Sequence, residues 1–210
     1  MTEASPPDVP RLGVLISGRG SNLGALIDAI DQGRLDARIA IVISNNASAA
    51  GLERARAAGI ETRVLEHRRY RSRDDFDTAL AAALREREVS LVCLAGFMRL
   101  IGRPLLEAFP NAILNIHPSL LPAFPGVDAQ RQAIEHGVRV SGVTVHLVTA
   151  ALDGGPIILQ AAVPVEPDDT PDTLAARILV EEHRLYPAAV SVVLRGGWRV
   201  DGRRFIPAAG

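Results

Sequence analysis

Residues 111–126 read NAILNIHPSLLPAFPG, and this stretch decides the interpretation of the chain. Its first half, residues 112–116, is apolar and β-favouring, which predicts a short buried strand. The part from Pro118 onward holds three prolines and Gly126, which predicts a stiff loop. Asn115 and His117 are two residues apart, so they face the same side of an extended strand.

An amide and an imidazole on one side of a strand end suit an acyl-transfer site. The side chain of Asn115 can hold an oxyanion, and His117 can donate or accept a proton. The pair alone leaves a second interpretation open, because a histidine at a strand end is often only a hydrogen-bonded structural residue.

Strands and helices alternate on either side of this stretch. An apolar run predicts the first strand at 12–16, and we expect further strands at 38–43, 61–65, 89–94 and 112–116. Helical spacing predicts helices at 22–32, 49–58, 73–87 and 131–136, the last starting near Asp128. The alternation predicts a doubly wound α/β fold, with a mostly parallel sheet and helices on both faces.

The C-terminal half departs from this alternation. Two closely spaced apolar runs, 142–149 and 156–165, predict an antiparallel pair of strands added to the sheet. A helix over 170–194 follows, with Thr170 or Asp172 as its N-cap. Residues 198–206 predict a short hairpin around an Asp201-Gly202 turn.

No internal repeat or linker divides the sequence, so we expect one domain over residues 11–210 after a disordered lead-in, residues 1–10. The lead-in has neither the basic start nor the apolar core of a signal peptide. No apolar run is long enough to span a bilayer. These features predict a soluble, cytoplasmic protein with no membrane partner.

The charges limit the function classes. The chain has 23 basic and 24 acidic residues, so no basic excess points to nucleic acid. Every basic residue is arginine, which excludes a Schiff-base lysine and a P-loop lysine. The one cysteine, Cys93, cannot form an internal disulfide. Its apolar neighbours predict a buried, inert thiol, with a catalytic thiol as the alternative.

A glycine turn, residues 18–24, joins the first strand to the first helix. It is not a dinucleotide fingerprint, because Leu23 stands where the third glycine would be and no acidic residue ends the next strand. The backbone N–H groups of such a turn, with Ser21 and Asn22, can cradle one phosphate at the helix N-terminus. A tight strand–helix turn without a ligand is the alternative.

Asp153 lies in the glycine-containing sequence ALDGGP, residues 151–156. Such a loop can close over a ligand, and a carboxylate beside an imidazole raises the imidazole pKa. We therefore expect the pKa of His117 to lie above its ordinary value if Asp153 is its neighbour. A plain Asp-Gly hairpin turn is the alternative.

Four motifs in one order carry a family resemblance. They are Gly18-x-Gly20-Ser21-Asn22-Leu23, Leu94-Ala95-Gly96-Phe97-Met98-Arg99, Asn115-x-His117-Pro118-Ser119-Leu120-Leu121-Pro122 and Leu152-Asp153-Gly154-Gly155-Pro156. With these motifs the chain resembles the phosphoribosylglycinamide formyltransferases, from about residue 11 to beyond residue 187. The block around His117 is shared with other folate formyltransferases. The glycine turn and Glu182-His183…Tyr186-Pro187 narrow the resemblance to the purine enzymes.

The resemblance implies transfer of the formyl group of 10-formyltetrahydrofolate to the glycine amine of phosphoribosylglycinamide, without a metal. It implies that Asn115, His117 and Asp153 are the catalytic trio. It implies that the substrate is held by Gly20, Ser21, Asn22 and Glu182. The folate would be flanked by Met98, Arg99, Leu100, Ile101 and Asn115, with Arg73 near its outer end. A homodimer is compatible with the sequence.

Two positions depart from relatives, which affects substrate contacts rather than the reaction. Gln130 stands where many relatives have a histidine, and Leu179 where some have a lysine. His146 and His183 are further candidates, each with a packed structural role as the alternative.

Three rival functions remain. Formyltetrahydrofolate hydrolase uses the same trio with water as acceptor, but its relatives carry an extra N-terminal domain. Methionyl-tRNA formyltransferase needs a C-terminal domain and a basic surface. A nonenzymatic nucleotide-binding protein on the same fold is the third, and the combination of Asn115, His117 and Asp153 argues against it.

Overall fold

A computed structural model describes residues 9–208 of the chain. The predicted lead-in therefore falls almost wholly on residues 1–8, outside the described residues. The strands are β1 (Arg11–Ile16), β2 (Arg38–Ser44), β3 (Thr62–Val64), β4 (Leu91–Leu94), β5 (Ile113–His117), β6 (Val140–Leu147), β7 (Ile157–Pro164), β8 (Arg199–Asp201) and β9 (Arg204–Ile206). The helices are α1 (Ser21–Asp31), α2 (Ala50–Ala57), α3 (Arg73–Arg85), α4 (Arg103–Ala108), α5 (Ala129–Glu135) and α6 (Pro171–Leu194).

The nine strands form one sheet in the order β3-β2-β1-β4-β5-β6-β7-β9-β8. Strands β1 to β5 are parallel, and β6 runs antiparallel to β5 and to β7. The carboxyl ends of β1, β4 and β5 therefore share one edge of the sheet. The loops after these three strands meet there, at the switch in strand order where doubly wound sheets bind ligands.

Helices cover both faces of the sheet. Leu12, Val14 and Ile16 of β1 join a core with α1, α2 and α6, while Leu15 joins a second core with α3 and α4. This alternation follows from the two-residue period of a strand. The predicted doubly wound α/β fold with an antiparallel addition is confirmed.

Most element boundaries agree with the predictions to within about two residues. Thr170 is the N-cap of α6, and its side chain accepts a hydrogen bond from the N–H of Thr173. Helix α4 and a single 3-10 turn at His67–Arg69 were not predicted, because both are too short for a periodic apolar pattern. Among residues 9–208, no helix has the length and apolar character needed to cross a membrane.

Candidate active site

The end of β5 carries the predicted pair. Leu114 and Ile116 point into one core and Ile113 into the other, so Asn115 and His117 share the face of Ile113. His117 is buried and Asn115 is half-buried. The strand thus places both polar side chains at the edge where β1, β4 and β5 end.

The loop between β6 and β7 brings Asp153 to this pair. The loop leaves β6 beside the start of β5, because Leu147 pairs with Leu114, and it folds back toward the strand end. One carboxylate oxygen of Asp153, Oδ2, lies 3.4 Å from His117 Nδ1, and the other, Oδ1, lies 3.5 Å from Asn115 Nδ2. The three residues predicted to act together therefore form one cluster.

His146 is a fourth member of this cluster. It lies opposite Asn115 on β6, and its Nδ1 is 2.9 Å from the carbonyl oxygen of Leu147. A carbonyl can only accept, so Nδ1 carries the proton and a neutral His146 presents a lone pair on Nε2. The amide nitrogen of Asn115 lies 3.3 Å from this Nε2. His146 thereby fixes which end of the Asn115 amide faces Asp153.

The protonation of His117 differs from the prediction. Its Nε2 lies 2.8 Å from the carbonyl oxygen of Phe124, so Nε2 carries a proton. Burial lowers the pKa of His117 below its ordinary value, and this outweighs the Phe124 hydrogen bond and the Asp153 charge, which raise it. The expectation of a raised His117 pKa is therefore wrong. Loss of hydration disfavours the charged imidazole more than the nearby Asp153 carboxylate favours it.

Asp153 remains ionised in the cluster. Burial alone would raise the pKa of its carboxyl, but the N–H of Gly126 and the neighbouring His146 and His117 imidazoles, with His146 Nε2 3.6 Å from Oδ1, together hold that pKa below its ordinary value. The Gly126 N–H lies 2.8 Å from Oδ2. Asp153 thus ties the loop after β5 to the loop after β6.

The glycine turn forms the second part of the site. Gly20 is the N-cap of α1 and has a φ of 69°, a left-handed conformation that favours glycine. A Cβ on Gly20 would lie 2.7 Å from the Cα of Gly51, so α2 also packs closely here. The first intrahelical bond runs from the N–H of Gly24 to Gly20, which leaves the N–H groups of Ser21, Asn22 and Leu23 without helix partners.

The side chain of Asn22 is turned toward α6. Its Nδ2 donates to Glu182 Oε2 at 2.7 Å, and its Oδ1 is buried without a partner in the described part of the chain. Burial raises the pKa of Glu182, while Asn22 and the charge of Arg19 lower it less strongly. The structure therefore joins two predicted substrate residues directly, through one hydrogen of the Asn22 amide nitrogen.

The loop after β4 forms the third part. Ser17, at the end of β1, accepts a hydrogen bond from the N–H of Met98 at 2.8 Å and donates to Asn45 at 2.6 Å. Met98 and Leu100 are 71% and 53% exposed, respectively, and Arg99 is also exposed. Ile101 instead packs against the second core. The predicted folate segment is thus an apolar surface beside the glycine turn.

Arg73, the last of the predicted folate contacts, begins α3. Its side-chain Cδ lies 3.4 Å from the position that a Cβ on Gly102 would occupy. Gly102 follows Ile101 directly, so Arg73 lies against the end of the loop after β4.

A family model described as formyl transferase matches residues 10–190 of the chain. This match covers most of the sequence and all four motifs. The chain belongs to the formyl transferase family.

Two further comparisons agree with this membership. The formyl transferase chain is 45% identical over 190 residues to phosphoribosylglycinamide formyltransferase of Escherichia coli, covering 90% of this chain and 87% of that protein. A crystal structure of glycinamide ribonucleotide transformylase 1 from Symbiobacterium toebii superposes with a TM-score of 0.95 at 56% identity, covering 97% of this chain and 96% of that one.

A longer relative is the human trifunctional purine biosynthetic protein adenosine-3. It is 50% identical to the formyl transferase chain over 186 residues. These residues are 89% of this chain and only 18% of the human protein. The chain thus spans under a fifth of its trifunctional relatives.

Two contributors to the site were missed, namely the carbonyl of Phe124 and the N–H of Gly126. Both are backbone groups, which a sequence pattern does not identify. Phe124 has a φ of 54° and Gly126 a φ of 83°, so the loop turns sharply there. The proline-rich composition predicts a stiff loop, and this loop brings these groups against His117 and Asp153.

His183 lies apart from the contacts of this cluster. Burial lowers its pKa, with Asp28 and Arg54 as its charged neighbours, so it belongs to the packing of α6 on the helices before it. Among residues 9–208, no group of three histidine, cysteine or acidic side chains is arranged to hold a metal ion.

Proposed function

We propose that this formyl transferase passes a formyl group from 10-formyltetrahydrofolate to the glycine amine of phosphoribosylglycinamide. The observation that carries the proposal is the cluster of Asn115, His117, His146 and Asp153 at the end of β5, whose polar side-chain atoms lie within 3.3–3.6 Å of one another. The names of the two single-function relatives support the choice of acceptor.

Asn115 is the group best able to stabilise charge on the formyl oxygen. Negative charge develops there when the amine attacks, and a donor aimed at it lowers the barrier. The amide nitrogen of Asn115 has two hydrogens, one directed to His146 at 3.3 Å and one in a long 3.5 Å contact with Asp153. An incoming oxyanion competes most easily for the hydrogen in the longer contact.

His117 handles protons rather than supplying a permanent positive charge. Its Nε2 hydrogen is bonded to Phe124, so reaching the substrate requires that this bond be exchanged. Asp153 faces Nδ1 and stabilises the imidazolium that forms when His117 takes a proton. The proton must leave the attacking nitrogen and reach the leaving nitrogen of the folate, and a neutral imidazole can accept it.

The two remaining parts of the site suit the two substrates. Free N–H groups at the start of α1 favour an anion, and Glu182 can accept from hydroxyl or amine groups of the nucleotide. Met98 and Leu100 offer exposed apolar surface to a flat ring, and Leu152, beside Gly126 and also exposed, offers more. We propose that these side chains, with Arg99, Ile101 and Arg73, flank the folate.

The decisive experiment measures formyl transfer from 10-formyltetrahydrofolate with phosphoribosylglycinamide or water as acceptor. We expect formylated nucleotide to accumulate and hydrolysis to be negligible beside it. Formate release at the same rate without the nucleotide would instead establish a hydrolase. Tight nucleotide binding without turnover would make the chain a binding protein.

A variant assigns the reaction to this cluster. His117→Ala should lower the transfer rate about 100- to 10,000-fold, the contribution typical of a general acid–base group. Nucleotide binding, measured by calorimetry, should persist because α1 is untouched. A variant that keeps a tenth of the rate would contradict this role.

We also propose that the enzyme works in the cytoplasm. The single cysteine supports this, because a chain without internal disulfides suits a reducing compartment.

A further inference from the structure

Arg19 stands between the two glycines of the turn that leads from β1 into α1. Its side chain is exposed, and it forms no hydrogen bond or ion pair within the part of the chain that the structure describes. The backbone around it is fixed, because the N–H of Gly51 donates to the carbonyl of Gly18 at 3.0 Å. A rigid turn thus carries a guanidinium whose five donors are all available.

The charges near this turn make a cation useful. An anion at the start of α1 is attracted by the free N–H groups and the helix dipole. It is repelled by the buried Glu182 carboxylate, which Asn22 holds at 2.7 Å from its own amide nitrogen. Arg19 lies close enough to Glu182 for its charge to lower the pKa of that carboxyl. The guanidinium is therefore placed to offset the repulsion.

The other side-chain donors of the turn are few. One of the two hydrogens on the Asn22 amide nitrogen is already bonded to Glu182, and the chain contains no lysine. Ser21 offers one hydroxyl. A guanidinium binds a phosphate through paired, charge-assisted hydrogen bonds, which are stronger than those of a neutral hydroxyl.

We infer that Arg19 is the cation that recognises the phosphate of the nucleotide, and that it sets the preference for phosphorylated over unphosphorylated substrate. This inference rests on the proposed function. It assigns a binding role to Arg19, which is the unspecified position x in the motif Gly18-x-Gly20-Ser21-Asn22-Leu23.

Calorimetry on the full chain tests the inference. The ligands are phosphoribosylglycinamide and the same compound without its phosphate, and the variants are Arg19→Gln and Arg19→Lys. Arg19→Gln should weaken binding of the phosphorylated ligand about tenfold or more, the loss expected for a hydrogen bond to a charged group. Binding of the unphosphorylated ligand should not change. Arg19→Lys should recover part of the loss because it restores the charge.

The matched control is Arg38→Gln. Arg38 is also exposed and is the first residue of β2, so it lies at the amino ends of the parallel strands, whereas the glycine turn lies at their carboxyl ends. Arg38→Gln therefore makes the same charge change away from the glycine turn. It should bind both ligands as the wild type does. In turnover assays, Arg19→Gln should raise the KM for phosphoribosylglycinamide and leave kcat nearly unchanged.

Two results would overturn the inference. One is an Arg19→Gln protein that keeps the wild-type preference for phosphate, and the other is an equal loss for both ligands. Ribose 5-phosphate, which has no acceptor amine, separates this inference from the proposed function. If the wild type binds ribose 5-phosphate through Arg19 but transfers no formyl group to phosphoribosylglycinamide, the proposed function fails and the role of Arg19 stands.

Discussion

His117 is buried between an acceptor and an anion. The carbonyl of Phe124 accepts from Nε2, and Asp153 faces Nδ1, yet loss of hydration dominates and lowers the pKa of the imidazole. His117 should therefore titrate below its ordinary value of about 6.5 and be mostly neutral at pH 7. In the proposed reaction, a neutral imidazole can take a proton from the attacking amine.

An NMR titration of the His117 ring checks this. Asp153→Asn should lower the His117 pKa further, because the carboxylate charge raises it. A His117 pKa above 6.5 in the wild type would contradict the prediction.

The lowered pKa of His117 also makes the free energy of unfolding depend on pH. The unfolded chain binds the proton more tightly, so the contribution of His117 is present above pH ~6.5 and is lost as the pH falls toward the folded pKa.

The residues of the cluster were predictable from the sequence, but the direction of the His117 pKa shift was not. The spacing of Asn115 and His117 predicted a shared face, and the structure has it. The pKa direction required knowing how deeply the imidazole is buried. It also required the backbone contacts of Phe124 and Gly126, which depend on the path of the loop rather than on side-chain identity.

The glycine turn before α1 depends on one backbone conformation. Gly20 adopts a left-handed φ of 69° and approaches Gly51, whereas a Cβ on Gly18 would meet nothing within 4 Å. Gly20→Ala should therefore cost about 1–2 kcal/mol from the left-handed conformation alone, with a further cost from the contact with α2. Gly18→Ala should be nearly neutral.

Urea unfolding and nucleotide binding measure this pair of variants. Gly20→Ala should reduce both the free energy of unfolding and the affinity for the phosphorylated nucleotide, because the N–H groups of α1 are displaced. Equal behaviour of the two alanine variants would show that the turn tolerates a side chain at either glycine.

Helix α3 supports the loop after β4 through a buried acid. The carboxylate of Asp77 accepts from the N–H of Gly102 at 2.5 Å, and burial raises its pKa. The folded state therefore binds this proton more tightly than the unfolded chain does. The free energy of unfolding therefore falls as the pH rises from the Asp77 pKa of the unfolded chain through the higher pKa of the folded state.

Asp77→Asn should remove that dependence while keeping an acceptor for Gly102. Its free energy of unfolding should fall less than that of the wild type between pH 4 and pH 7. Asp77→Ala leaves the Gly102 N–H without its acceptor and should cost about 1–3 kcal/mol. Folate binding should weaken in the alanine variant more than nucleotide binding. Identical pH profiles for wild type and Asp77→Asn would contradict the argument.

Over the whole molecule, the order of elements was predictable because hydrophobic periodicity reports burial. Strands β1 and β4, which are buried on both faces, read as continuous apolar runs, and α6 carries both an apolar face and a cap. The folding back of the loop between β6 and β7 was not predictable. It depends on tertiary contacts such as those of Asp153 with residues far along the chain.

The burial of Cys93 in β4 can be tested by labelling its thiol. It lies in β4 at the centre of the sheet, fully buried, and burial raises the pKa of its thiol to about 12. This agrees with the predicted inert thiol. Because the chain has a single cysteine, labelling by an aromatic disulfide reagent should report only on openings that expose the central strand.

We expect native Cys93 to be labelled no faster than the protein unfolds, with a rate that rises with urea in parallel with global unfolding. A ligand that binds only the folded state reduces the unfolded population, so nucleotide at 100 times its Kd should slow labelling by about 100-fold. The nucleotide lacking phosphate, at the same concentration, serves as the weak-binding control. Rapid labelling that neither urea nor nucleotide changes would mean that β4 opens locally, which its complete burial between two helical layers argues against.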